Sequence, residues 1–101
     1  MREESFGPII GVQAVADDAE AVARMSDTEY GLTAGVYTPD RERAEAILRR
    51  MNTGSVYWNC CDRVSPRLPW SGRAHSGIGV TLSRLGIRAF TRPKAWHLRG
   101  A

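Results

Sequence analysis

The sequence contains only two cysteines, and these are neighbours, Cys60 and Cys61. Adjacent cysteines rarely bridge each other, so a disulfide scaffold is excluded and we expect a reducing, cytoplasmic setting. No apolar run is long enough to span a bilayer, because the most apolar stretch, 7–16, is short and is interrupted by Gln13. The first residues lack the basic and then apolar pattern of a secretory signal, so we expect neither export nor a membrane partner.

Acidic residues are almost missing from the second half of the chain. Asp62 is the only one beyond Glu45, whereas nine arginines and one lysine lie from Arg49 onward, and the net charge is +3. This asymmetry fits a surface for nucleic acid or a membrane, and equally a half-molecule whose acidic complement lies elsewhere. Composition does not decide between these interpretations.

The two cysteines could hold a metal only with further ligands. The possible ligands are two histidines and one nearby carboxylate: His75, His97 and Asp62. They show none of the Cys/His spacings of known zinc sites, which normally need four ligands. The sequence therefore predicts no metal site, and the cysteines are interpreted as two small residues at the end of a strand.

Short strand-like segments alternate with helical patterns in the first 60 residues. Strands are predicted at 9–15, 32–37 and 55–59, which are rich in apolar, β-branched or aromatic residues. Asp17 begins one predicted helix and Thr38-Pro39-Asp40 begins another, as N-terminal capping signals. The order strand, helix, strand, helix, strand predicts an α/β fold, with a parallel sheet covered by helices.

The second predicted helix has a clear apolar stripe. Ala44, Ile47, Leu48 and Met51 fall at i, i+3, i+4 and i+7, so they share one face. Gly54 is placed to end the helix, since glycine favours the conformation that follows a last turn. We therefore expect this stripe to be buried against the sheet.

The last 40 residues show little periodicity. Five prolines and glycines interrupt residues 60–81, which predicts a loop longer than a compact domain usually has without a functional reason. A short helix is predicted at 83–90, ended by Pro93. Residues 94–99 alternate in polarity and are predicted to form a terminal strand.

Five short motifs follow one another along the chain. They are Glu3-Glu4-Ser5-Phe6-Gly7-Pro8, Glu29-Tyr30-Gly31-Leu32-Thr33-Ala34-Gly35-Val36-Tyr37-Thr38, Thr53-Gly54-Ser55-Val56-Tyr57-Trp58-Asn59, Leu68-Pro69-Trp70-Ser71-Gly72 and Ser76-Gly77-Ile78-Gly79. Their order resembles the C-terminal segment of the aldehyde dehydrogenase superfamily over essentially the whole chain. The resemblance implies the βαβαβ end of that catalytic domain at 1–93, followed at 94–101 by an oligomerisation strand and tail.

The resemblance also implies roles for individual residues. Glu4 matches the glutamate that grips the hydroxyls of the nicotinamide ribose, and Phe6 matches the phenylalanine beside the nicotinamide ring, so the implied cofactor is NAD or NADP. Five further residues match positions at the aldehyde entrance or in the substrate pocket: Asn59, Cys60, Cys61, Val64 and Trp70. Trp70 stands where the family has a pocket phenylalanine.

No residue of this chain matches a catalytic residue of the family. The nucleophilic cysteine, the general base and the dinucleotide-binding domain precede this segment in the family's order, and Cys60 and Cys61 do not fit the nucleophile's motif.

The sequence thus indicates a C-terminal fragment of an NAD(P)-dependent aldehyde dehydrogenase, inactive alone and acting on a small-molecule aldehyde as part of the whole. We expect a homo-oligomer or association with the missing part, and no specific nucleic acid. The alternatives are a small basic α/β nucleic-acid-binding module and a purely structural or oligomerisation fragment.

Overall fold

The computed structural model describes residues 3–60 and 63–100 of the chain. Its helices are α1 (Asp18–Ser26), α2 (Arg41–Leu48) and α3 (Ser83–Arg88). Its strands are β1 (Thr33–Val36), β2 (Ser55–Trp58), β3 (Trp70–Ser71) and β4 (Val80–Thr81). Helices and strands alternate from α1 to β2, which confirms the predicted α/β class.

Both longer helices begin at the residues that the sequence indicates. The Asp17 carboxylate accepts a hydrogen bond from the Glu20 amide at 2.8 Å, and the Asp40 carboxylate accepts one from the Arg43 amide at 3.0 Å. These bonds satisfy amides that have no partner within the helix. The second helix ends at Leu48, six residues before Gly54, and a tight turn follows it.

The parallel pair β1 and β2 lies at the centre of the fold. Its register runs from Thr33 opposite Ser55 to Val36 opposite Trp58, and α2 is the crossover that packs on both strands. The buried apolar side chains of the described residues are Val22, Ala44, Ile47 and Leu48. Three of them belong to the predicted stripe of α2, whose fourth member, Met51, is half-buried.

A second, antiparallel pair lies inside the segment predicted to be a loop. In it Trp70 pairs with Thr81, and Ser71 pairs with Val80, and α3 packs against β4. Two-residue strands carry no alternation that could be read from sequence. The predicted loop is therefore folded back on itself, and it ends in the helix expected near 83–90.

The strands predicted at 9–15 and 94–99 are not formed. Neither segment has regular secondary structure in the described residues, and their apolar side chains are exposed: Val12 is 90% accessible and Leu98 is 79% accessible. A strand exists only when a neighbour accepts and donates its hydrogen bonds, and no described segment lies beside either one. Of the implied βαβαβ unit, the described residues form α1, β1, α2 and β2, and its first strand is not formed.

These unpaired ends give the chain an extended shape. The radius of gyration is 18.5 Å and the principal extents are 71 × 32 × 22 Å. A compact domain of about 100 residues has a radius of gyration near 13 Å. Of the helices in the described part, none is long and apolar enough to cross a membrane.

Candidate functional site

The second and fifth motifs meet at Gly31. Its carbonyl accepts hydrogen bonds from the Gly54 amide at 3.1 Å and the Arg73 amide at 2.9 Å. Its own amide donates to the Ser76 hydroxyl at 3.0 Å. A side chain at position 31 would collide with the Asn52 carbonyl, so glycine is required by close packing. This node fixes the loop after β3 against the start of β1.

Asn59 follows β2 in a left-handed conformation, with φ of 51°. Its side-chain oxygen accepts from the Thr38 amide at 2.9 Å, and its side-chain nitrogen donates to the Thr38 carbonyl at 2.8 Å. The amide of Asn59 also donates to the Val36 carbonyl at 2.9 Å. The side chain therefore extends the pairing of β1 and β2 by one step, and asparagine tolerates this backbone conformation better than most residues. Asn59 is a positioning residue, because both ends of its amide are occupied by Thr38.

The two residues of the predicted aldehyde entrance that follow are open to solvent. Cys60 is an exposed free thiol, and the Val64 side chain is 57% accessible. Cys61 lies outside the described residues. The described residues predicted for the entrance, Cys60 and Val64, thus lie at the surface after the turn that Asn59 holds.

Trp70 is half-buried at the start of β3 and lines a cavity of about 210 Å³. The cavity lies between β2 and residues 63–70, and its wall also includes Val56, Tyr57 and Arg63. The Tyr57 hydroxyl donates to the Arg63 carbonyl at 3.2 Å, which holds the loop beside the strand. Of the predicted substrate-pocket residues in the described part, Trp70 alone lines this cavity, while Asn59, Cys60 and Val64 do not.

Sequence reasoning did not single out the other residues of this wall. Arg63 stands in an aperiodic segment, and Tyr57 looks like an ordinary strand residue. The available signal was local: an arginine among prolines and apolar residues, close after a strand that ends in aromatic residues. Only the fold shows that this arginine and the strand share one cavity.

Glu4 and Phe6 lie in the N-terminal segment that has no regular structure. The Phe6 ring is 97% accessible, and the Glu4 carboxylate has no hydrogen bond or ion pair with any described residue. Short turns at Gly7 and Ile9 are the only main-chain bonds of this segment among the described residues. The two predicted cofactor residues are therefore both exposed to solvent.

Ion pairs concentrate in the first half of the chain. The shortest joins Arg43 to Asp18 at 2.6 Å, between α2 and α1, and it lowers the pKa of Asp18 through the hydrogen bond from the guanidinium. A hydrogen bond from the Ala16 amide lowers the pKa of Glu20, and one from Arg41 lowers that of Glu45.

The second half of the chain is cationic and largely unpaired. Beyond residue 50, the described contact of this kind places the His75 ring 3.2 Å from the Glu29 carboxylate, and it is an ion pair when the ring is protonated. Seven arginines beyond residue 50 make no ion pair with a described residue: Arg63, Arg67, Arg73, Arg84, Arg88, Arg92 and Arg99. Within the described part no three metal-ligating side chains come together, so no metal candidate arises there.

The chain is similar in sequence to known aldehyde dehydrogenases. The model of the aldehyde dehydrogenase family matches residues 1–96. Betaine aldehyde dehydrogenase of Hordeum vulgare is 39% identical over 93 residues, which are 92% of this chain and 18% of the relative. The chloroplastic betaine aldehyde dehydrogenase of Beta vulgaris is 37% identical over 92% of the chain and 19% of its own length. The chain therefore spans less than one-fifth of these curated relatives.

Solved structures show the same relationship. An aldehyde dehydrogenase described as putative, from Burkholderia cenocepacia, superposes with a TM-score of 0.86 at 36% identity, covering 90% of this chain and 19% of its own. Betaine aldehyde dehydrogenase from Staphylococcus aureus in complex with NAD+ superposes with a TM-score of 0.85 at 30% identity, covering 88% and 18%. Sequence, motif order and fold agree over nearly the whole chain, which belongs to the aldehyde dehydrogenase family and forms a segment of its catalytic-domain fold.

Proposed function

We propose that this chain is the part of an NAD(P)-dependent aldehyde dehydrogenase that presents a cofactor-contacting segment and the aldehyde entrance. The single observation that carries the proposal is the family match over residues 1–96, supported by TM-scores of 0.85 to 0.86. The reaction of the whole enzyme would oxidise a small-molecule aldehyde to a carboxylic acid. The betaine aldehyde dehydrogenases among the relatives support this class of substrate.

The exposed N-terminal segment suits a nicotinamide nucleotide. The Glu4 carboxylate can accept two hydrogen bonds from the hydroxyls of a ribose, and it has no competing donor among the described residues. The Phe6 ring has an uncovered face that can pack beside a nicotinamide. When bound, NAD+ or NADP+ would supply the hydride acceptor for the oxidation, and Glu4 and Phe6 would hold and orient it.

The chain supplies positioning and pocket residues, but no catalytic residue. Asn59 holds the end of β2, so Cys60, Cys61 and Val64 would follow at the aldehyde entrance, and Trp70 would form part of the pocket wall. The nucleophile and the general base would come from the rest of the subunit. By itself the chain is therefore expected to be inactive.

Fragment complementation tests this proposal. The chain alone should give no aldehyde-dependent NADH, whereas mixing it with a betaine aldehyde dehydrogenase subunit lacking the matching segment should restore turnover. In the mixture, Glu4→Gln should raise the KM for NAD+ about tenfold, because glutamine lacks the negative charge and keeps only one of the two acceptor oxygens. Glu3→Gln, a neighbouring carboxylate change, is the matched control and should leave the KM unchanged. Turnover by the chain alone, or a complex that forms but stays inactive, would overturn the proposal.

We also propose that the chain associates with copies of itself or with the rest of such a subunit, in the cytoplasm. Its two unpaired segments expose apolar side chains that include Phe6, Val12, Trp96 and Leu98. Unpaired main-chain groups and uncovered apolar surface both favour association. The free thiol of Cys60 supports a reducing compartment.

A further inference from the structure

The cavity between β2 and residues 63–70 combines a cation with an apolar wall. Arg63 lines it, and its guanidinium makes no hydrogen bond or ion pair with a described residue. Leu68, Pro69 and Trp70 form the apolar side. A guanidinium beside apolar surface and without a carboxylate partner is suited to an anionic ligand that also has a hydrocarbon body.

The open edge of β2 adds a second donor. Ser55 and Asn59 donate their amides to carbonyls of Leu32 and Val36 on the β1 side. Because amides alternate in direction along a parallel strand, the Val56 amide points to the opposite edge, where Val56 lines the cavity. It has no hydrogen-bond partner among the described residues. The Val56 residue with its unpaired amide and the Arg63 residue with its unpaired guanidinium thus belong to the wall of the same cavity.

The hydrogen bonds that hold the loop carrying Arg63 involve neither the Arg63 guanidinium nor the Val56 amide. The Tyr57 hydroxyl donates to the Arg63 carbonyl, so the tether uses the main chain and leaves the guanidinium free. The Ser65 hydroxyl accepts from the Arg67 amide at 3.4 Å, which closes the next turn of the loop. These two bonds hold the loop beside β2.

The size of the cavity limits the ligand. Its volume of about 210 Å³ corresponds to roughly seven waters at their liquid density and lies below the range of about 300–1,000 Å³ typical of drug-sized ligands. A ligand of about six to eight non-hydrogen atoms fits this space. Ligands of that size bind with dissociation constants in the millimolar range when the site is partly open.

We infer that this cavity binds a short-chain monocarboxylate, with its carboxylate at the Arg63 guanidinium and the Val56 amide and its hydrocarbon body against Leu68, Pro69 and Trp70. A trimethylammonium or other cationic ligand is disfavoured by the same arginine. The inference rests in part on the proposed function, because Trp70 is also the residue proposed for the aldehyde pocket. An aldehyde substrate with a short apolar or carboxylate-bearing body would then suit this chain better than the cationic betaine aldehyde.

Nuclear magnetic resonance of the isotope-labelled full chain tests the inference with butanoate as the probe. Butanoate should shift the amides of residues 55–57 and 63–70 and the Trp70 indole, with a dissociation constant in the millimolar range. Butan-1-ol and butylammonium have the same hydrocarbon body and should bind at least about fivefold more weakly, because they lack the negative charge. Arg63→Gln should weaken butanoate binding by about five- to tenfold, whereas Arg67→Gln, a nearby arginine outside the cavity wall, should change it less than about twofold.

Several results would overturn the inference. One is equal binding of butanoate, butan-1-ol and butylammonium, and another is an equal effect of the two arginine substitutions, which would indicate only a general charge effect. A third is a spectrum in which butanoate moves no resonance of β2, or in which β2 has no dispersed resonances. None of these results bears on fragment complementation, which tests the family function separately.

Discussion

Replacing Gly54 by alanine should loosen the junction between the two sheets. An ideal Cβ at this position would overlap the main-chain carbonyl of Ser71 in β3, and a main-chain group cannot move aside by rotating a side chain. Overpacking of this kind costs roughly 1–3 kcal/mol. If the backbone shifts to relieve it, the bond of 3.1 Å from the Gly54 amide to the Gly31 carbonyl weakens as well, a loss of about 1 kcal/mol.

The expected sum is about 3 kcal/mol of unfolding free energy. With a urea slope of about 1.5 kcal/mol per molar for a chain of this size, the midpoint of unfolding should fall by roughly 2 M. Gly79→Ala is the matched control, because its Cβ would have no neighbour within 4 Å; it should leave the midpoint unchanged or raise it slightly. Circular dichroism during urea titration measures both. Equal midpoints for the two variants would refute the packing argument.

Three further predictions concern charge and assembly. The pKa of Asp18 is lowered by its pair with Arg43, so this pair stabilises the fold above about pH 4. The stabilisation is lost as the pH falls through the folded-state pKa of Asp18. Arg43→Gln should therefore reduce the loss of urea stability between pH 6 and pH 3, and an unchanged pH profile would contradict this. Binding to duplex DNA should be weak and without sequence preference; a dissociation constant near 10⁻⁸ M at physiological salt, in fluorescence anisotropy, would favour the nucleic-acid module instead. Deleting residues 94–101 should lower the average mass in sedimentation at several concentrations, and a monomer indifferent to the deletion would argue against association through this segment.

The sequence predicted best those parts of the fold that depend on local interactions. Asp17 and Asp40 cap helices through bonds to residues three positions away, and the stripe of α2 needs only its own spacing. Strands are different, because each needs a partner. The segment 9–15 has the composition of a strand and no described neighbour, whereas β3 and β4 are strands without any strand-like pattern.

The candidate site shows the same division. The motif that contains Asn59 could be recognised in the sequence. The positioning role of the Asn59 side chain could not, because its bonds to Thr38 span 21 residues of sequence. Trp70 was predicted as a pocket residue and lines the cavity. Arg63 could not be found, because nothing in its neighbours indicates which strand lies opposite. Chemistry that arises from long-range contacts becomes visible only once the chain is folded.

The bonds at Gly31 also set the order in which this chain can fold during its synthesis. The Gly31 amide, which precedes β1, reaches its partner only when Ser76, 45 residues later, is available. Closing a loop of this length costs conformational entropy before any bond compensates for it, and such long-range contacts slow folding. While the ribosome is adding residues 55–76, the first sheet can pair but its N-terminal end stays open. Throughout that interval the Gly31 amide is open to other acceptors, and the serine that ends it lies between β3 and β4.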